Sequence, residues 1–154
     1  MAESRFHDET TDTASGDPAA GDSGATAGVV PTGVTIIVCN TCRFRDGPAE
    51  EPRPGSRLVR ETRAAAAGSG IEVRQVSCLG NCRRGISAAV LRDGCWSYLF
   101  GELDTDSAQD LVAGARLFAS SHDGFMPFRE RPAALKRGLI ARIPSLANLE
   151  DLTR

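Results

Sequence analysis

The sequence predicts a single α/β domain. Its elements run β-α-β-β-β-α around a mixed four-stranded sheet, with a disordered acidic tail before them and a short helix after them. Three observations carry this reading. A β-branched run, a helical apolar stripe and a second apolar run follow one another between residues 34 and 77. Two further apolar runs flank Asp93-Gly94, a strong signal for a two-residue hairpin. A second helical stripe then begins directly after the hairpin. A chain of 154 residues with 41% hydrophobic and 25% charged residues has room for one real core.

Residues 1–33 are rich in Ala, Gly, Ser, Thr and Asp and hold six acids against one arginine. Such a stretch buries too little surface to offset its ordering entropy, and it reads as a disordered acidic tail. His7 lies in it and reads as a solvated residue. The remainder, with 17 basic and 14 acidic residues, is mildly basic.

Val34-Thr35-Ile36-Ile37-Val38 is β-branched throughout, as in a strand covered on both faces. The next segment, 43–54, contains Gly47, Pro48, Pro52 and Pro54 and reads as a loop. A first helix is expected from Gly55 or Ser56, with Leu58, Val59, Thr62, Ala65 and Ala66 on one face and a stop at Gly68 or Gly70. Ile71–Ser77 is the second strand. Strand, helix and strand over this length make a βαβ unit, so the two strands are expected to be parallel.

The hairpin places Trp96, Tyr98 and Phe100 on one strand face, where packing is the expected role. The second helix opens at Asp104 or Thr105 and buries Ala108, Leu111, Val112, Ala115 and Ala119. Pro132 is placed to start a short third helix that Pro144 ends. Residues 145–154 are expected to fray.

The chemistry is concentrated in cysteine pairs. Cys39-Asn40-Thr41-Cys42 has C-x-x-C spacing after the first strand, and Cys78-Leu79-Gly80-Asn81-Cys82 has C-x-x-x-C spacing after the second. If the strands are parallel, both pairs lie at one sheet edge and offer four thiolates. Four thiolates suit zinc or a 2Fe-2S cluster. Gly80 and Gly85 let backbone N–H groups approach sulfur, and Arg43, Arg45, Arg83 and Arg84 flank the pairs; both features lean toward the cluster. Cys95 sits beside the hairpin turn and is the spare.

No run approaches about 18 apolar residues, and the N-terminus lacks the apolar segment of a signal peptide. A cytoplasmic location with reduced thiols is therefore expected. Only two histidines occur, and no glycine-rich phosphate loop or nucleic-acid motif is present. The partner expected is a redox protein, with neither nucleic acid nor membrane. Arg129, Arg131, Lys136, Arg137 and Arg142 form a basic segment that reads either as the dock of an acidic redox partner or as a solvated face that keeps the last helix soluble.

The order of elements resembles a thioredoxin-like layout. A thiol-disulfide oxidoreductase would place its C-x-x-C at a helix N-terminus. Cys42 is instead followed by Arg43-Phe44-Arg45-Asp46-Gly47-Pro48, without helical period, so no enzyme activity is expected. The segments Cys39–Arg43, Pro54–Leu58, Cys78–Gly85, Tyr98–Gly101, and Arg131-Pro132 through Arg142-Ile143-Pro144 resemble a bacterial family of unknown function. That family is described as predicted metal-binding proteins related to thioredoxin-like 2Fe-2S ferredoxins. The resemblance covers roughly residues 34–144. It implies a metal or iron–sulfur role on Cys39, Cys42, Cys78 and Cys82, and loosely a link to cobalamin and cobalt metabolism. A non-redox, metal-handling or zinc-stabilised module stays open beside the electron carrier.

Overall fold

The computed structural model describes residues 30–149. The expected acidic tail lies outside the described residues as far as residue 29, as do residues 150–154 of the expected frayed end. Val34–Cys39 forms β1, Pro54–Ala66 α1, Glu72–Val76 β2, Ile86–Arg92 β3 and Ser97–Leu103 β4. Ala108–Ser120 forms α2, Ala133–Arg137 α3, Leu139–Ile143 β5 and Leu146–Leu149 α4. The sheet order is β2-β1-β3-β4-β5, with β1 and β2 parallel and every other neighbour antiparallel.

The fifth strand corrects the expected count of four. The expected third helix ends early at α3, because Gly138 closes it, with its N–H donating to Ala134 O at 2.8 Å. The chain then turns extended, and Leu139–Ile143 satisfies the open edge of β4. Gly138 also accepts from Gly101 N–H at 2.8 Å, where no Cβ on Gly138 blocks the approach. Two ends also differ from expectation. Thr32, inside the expected tail, donates from its N–H and its hydroxyl to Gly70 O, at 3.0 and 3.1 Å. Leu146–Leu149, in the expected frayed end, forms a helical turn in which Asn148 N–H donates to Ser145 O at 3.0 Å.

The hairpin forms as expected. Cys95 N–H donates to Arg92 O at 3.1 Å, and Gly94 takes a φ of +67° that favours glycine. Asp104 caps the entry to α2, its N–H donating to Ser107 Oγ at 3.0 Å, with a 3-10 turn Thr105–Ser107 before the helix proper.

The core lies on one sheet face. Val34, Ile36, Val38, Ala88, Val90, Tyr98 and Phe100 pack there against Leu58 and Val59 of α1 and Leu111, Val112, Ala115 and Phe118 of α2. Burying each large side chain contributes roughly 1.5–3 kcal/mol. Ile37, Ala89, Leu91 and Leu99, on the alternate positions, are only partly covered. β1 is therefore apolar on both faces, yet helices cover one of them, against the expectation of cover on both.

The aromatic stripe is packing, as expected. Tyr98 and Phe100 are buried and stacked at 6.2 Å. Tyr98 also anchors the segment after α2, since its Oη accepts from Met126 N–H at 2.8 Å. Arg131 donates to Met126 O at 2.8 Å and lies over the Tyr98 ring at 5.3 Å. Replacing Tyr98 by Phe would leave a buried N–H without an acceptor. We expect Tyr98→Phe to cost about 1–3 kcal/mol. A lower urea midpoint at unchanged slope would show it, and an unchanged midpoint would refute this role.

Candidate metal centre

The β1–β2 ladder ends at the pair Cys39 and Val76. The loops leaving both strands therefore start at the same sheet edge. Cys39 is the last residue of β1 and Cys42 follows in the loop; Cys78 and Cys82 lie in the loop leaving β2, where Cys82 opens a 3-10 turn. The first loop is laced to the second. Asn40 N–H donates to Val76 O at 2.9 Å, the Cys39 thiol donates to Ser77 O at 3.4 Å, and the Thr41 hydroxyl donates to the same carbonyl.

The start of α1 supports the first loop from behind. Gly55 N–H donates to Cys42 O at 3.1 Å and Ser56 Oγ donates to Asn40 O at 3.0 Å. A Cβ on Gly55 would stand 2.2 Å from Cys39 O and 3.0 Å from Cys42 N. Only glycine permits this approach.

The second loop is shaped by Gly80 and Gly85, with φ of +74° and +65°. Gly80 N–H donates to Cys78 Sγ at 3.2 Å. Asn81 Nδ2 donates to the buried Ser87 Oγ at 2.9 Å, and Ser87 Oγ donates to Gly85 O at 3.2 Å. The pairing of β3 with β4 shifts register between Ile86 and Ala88. Opposite that shift, Glu102 takes a φ of +53° and forms a 3.0 Å ion pair with Arg84 that lacks hydrogen-bond alignment. A Cβ on Gly101 would meet Asn81 Nδ2 at 2.7 Å and Arg84 Cβ at 2.9 Å. This irregularity thus makes room for the second loop.

The four thiols differ in environment. Cys39 and Cys42 are 1% and 6% exposed, whereas Cys78 and Cys82 face solvent. Cys39 is desolvated, which opposes ionisation, but hydrogen bonds from the Cys42 thiol, the Leu79 N–H and Thr41 outweigh this and lower its pKa. Cys42 is pushed up to about 12, first by burial, then by its hydrogen bond to Cys39 and the charge there; Ser87 pulls weakly the other way. The Cys82 pKa is raised by the hydrogen bond to Cys78 and the charge on it, then by burial and by the charge on Cys39. The largest electrostatic influences therefore run within each pair, and Cys39 acts weakly on Cys82. Among the described residues, no three His, Cys, Asp or Glu side chains are gathered to hold a single ion.

Cys95 is placed apart, half-buried beside Gly124 at the hairpin end of the sheet. The length of β3, roughly 20 Å, separates that end from the loops. His122 lies exposed after α2, and His7 is outside the described residues. The segment after Cys42 forms no helix before Pro54. Sequence reasoning passed over Gly55, Thr41, Asn81 and Ser87 as supports. Ser87 carried a signal, a polar residue in an apolar strand run, which calls for a specific partner.

The pattern of a family described as protein of unknown function (DUF1636) matches residues 36–145, which takes in both cysteine loops. The chain belongs to that family. Among curated proteins, none matches this DUF1636 member. Similar solved structures include the wild-type thioredoxin-like 2Fe-2S ferredoxin from Aquifex aeolicus, at 12% identity and TM-score 0.46, covering 70% of this chain and 96% of that one. A second structure of a thioredoxin-like 2Fe-2S ferredoxin from Aquifex aeolicus matches at 13% identity and TM-score 0.43, over 71% and 91% of the two chains. A cysteine-to-serine variant of that ferredoxin matches at 13% and 0.45, over 70% and 98%. No helix of the described residues is long and apolar enough to cross a membrane.

Two outcomes follow from this geometry. Gly55→Ala should displace the Cys39–Cys42 loop and lower stability by about 1–3 kcal/mol through the clash alone, since Gly55 has no positive φ. A urea midpoint equal to that of the unaltered protein would contradict the close approach. In the metal-free protein, iodoacetamide at pH 8 should label Cys78 and Cys82 first and Cys42 last, because a buried thiol with a pKa near 12 offers almost no thiolate. Mass-spectrometric mapping that finds Cys42 labelled early would refute it.

Proposed function

We propose that this protein is a small electron carrier that holds a 2Fe-2S cluster on Cys39, Cys42, Cys78 and Cys82. The observation that supports it is that the interlaced loops leaving the parallel strands β1 and β2 bring two cysteines each to one sheet edge. A 2Fe-2S centre takes two thiolates on each iron, so two pairs match its donor set. The cluster would supply a one-electron couple.

The protein's own residues do the rest. Gly80 N–H, already directed at Cys78 Sγ, stabilises negative charge on that sulfur, and the Leu79 N–H and Thr41 do the same at Cys39. Arg43, Arg45 and Arg83 place positive charge around the edge, which favours an added electron. The buried pair is shielded from water by the start of α1, and the exposed pair faces outward.

Purified without oxygen, the protein should be brown and release acid-labile sulfide; a colourless, zinc-containing protein would overturn the reading. Cys78→Ser or Cys82→Ser should lose metal and thermal stability together, because ligation contributes to folding free energy. Cys95→Ser should keep its full metal content. Full iron content in either of the first two variants, or loss of metal in the third, would overturn the assignment of ligands.

A further inference from the structure

In the basic C-terminal segment only Arg131 is buried, while Arg129, Lys136, Arg137 and Arg142 are exposed. Arg131 is 5% exposed. The Arg142 guanidinium lies 4.7 Å from the Trp96 ring centre and 4.9 Å from that of Phe125. Lys136 Nζ donates to Arg129 O at 2.8 Å. Lys136 and Arg142 are held in this way, whereas Arg129 and Arg137 are exposed and, among the described residues, form no ion pair.

The cysteine edge differs in that its free charges border a cavity lined by thiols. Arg43, Arg45 and Arg83 are exposed, and among the described residues none of them forms an ion pair. Asp46, adjacent in sequence, pairs with none of them. Two come from the loop after β1 and one from the turn after Cys82, and the loops touch at Gly85, where an added Cβ would stand 3.6 Å from Arg45 N and 3.8 Å from Arg43 O. A cavity of about 340 Å³ opens here, lined by Cys42, Cys82, Phe44, Arg43, Arg45 and Arg53, with no acid in its wall. Arg53 donates to Thr41 O at 3.2 Å and so fixes the rim to the first loop. A larger cavity, about 560 Å³ between α1 and the start of α2, mixes Arg57 and Arg60 with Glu61 and Asp106 and has no comparable excess of one sign.

We propose that the rim formed by Arg43, Arg45 and Arg83 docks the acidic face of a partner protein over Cys78 and Cys82. Guanidinium groups without acids of their own are suited to bidentate recognition of carboxylates. Their field steers an acidic partner to the one edge where thiols reach the surface. That the partner exchanges electrons there rests on the electron-carrier reading; that it is acidic does not. In the exchange, one electron crosses and no bond forms or breaks.

The test uses the full-length protein and fluorescein-labelled poly-L-glutamate at low ionic strength. Binding is expected, with affinity falling as salt rises. The double variant Arg45→Glu/Arg83→Glu should weaken it about tenfold or more, and Arg45→Gln/Arg83→Gln by less, with the melting temperature of the latter unchanged. Arg129→Glu/Arg137→Glu should change it less than about twofold. Absence of binding, an equal loss in the Arg129/Arg137 variant, or tighter binding of a single-stranded oligonucleotide at the same salt would each overturn the proposal. An increase of more than about tenfold on neutralising the six acids of residues 1–33 would assign the rim to the chain's own N-terminal segment and overturn it too. Binding is read without any cluster, so a protein that lacks iron would refute the carrier and leave this test standing. Where iron is present, the Arg45→Glu/Arg83→Glu variant should pass its electron to ferricyanide more slowly than the unaltered protein and to hexaamminecobalt(III) faster; a change in the same direction with both oxidants would overturn the rim.

Discussion

The parallel ladder from Thr35–Glu72 to Cys39–Val76 is the constraint on which the cysteine edge depends. Parallel strands need a crossover, and α1 supplies it. The same crossover brings Pro54-Gly55-Ser56 back to the start of the edge, where Gly55 and Ser56 bond to the loop after β1. One topological choice thus sets both where the thiol pairs lie and what supports the first of them. An antiparallel β1–β2 pairing would send the two loops to opposite ends of the sheet.

The edge is polar backbone brought close to sulfur, and such a place has to be satisfied group by group. Val76 O, Ser77 O, Asn40 O and Cys42 O each accept from the neighbouring loop or from α1. Ser87, fully buried in β3, accepts from the Asn81 amide and donates its hydroxyl to Gly85 O. These bonds hold two loops that otherwise have little apolar surface to bury. They also make the thiol pairs unequal, with one pair behind the first loop and the other at the surface.

The far side of the domain shows charge used as packing. Arg131 crosses the Tyr98 ring and holds Met126 O, and Arg142 stacks on Trp96 and Phe125. Both extend the core beyond what α1 and α2 cover, and they fasten the segment after α2 to β4. Gly114 permits the same closure from the helix side, since a Cβ there would stand 2.3 Å from Leu135 Cδ1.

Much of this was legible in the residues themselves. The β-branched run 34–38, the stripes on α1 and α2 and the Asp93-Gly94 turn are local patterns, set by side-chain periodicity and by glycine's freedom at positive φ. The βαβ order then implied parallel strands, and parallel strands implied one edge for Cys39, Cys42, Cys78 and Cys82. The fifth strand was not legible, because Leu139–Ile143 is extended by virtue of the open edge of β4 rather than by its own pattern. Nor was the fate of the arginines. Arg131 and Arg43 are alike as sequence, and only the packing of Tyr98 and Phe128 around the first, and the lack of any acid beside the second, separates a buried structural cation from a free one. The split of the thiols into a buried and an exposed pair was decided in the same way, by how closely Gly55 lets α1 approach one loop while nothing in the described residues covers the other.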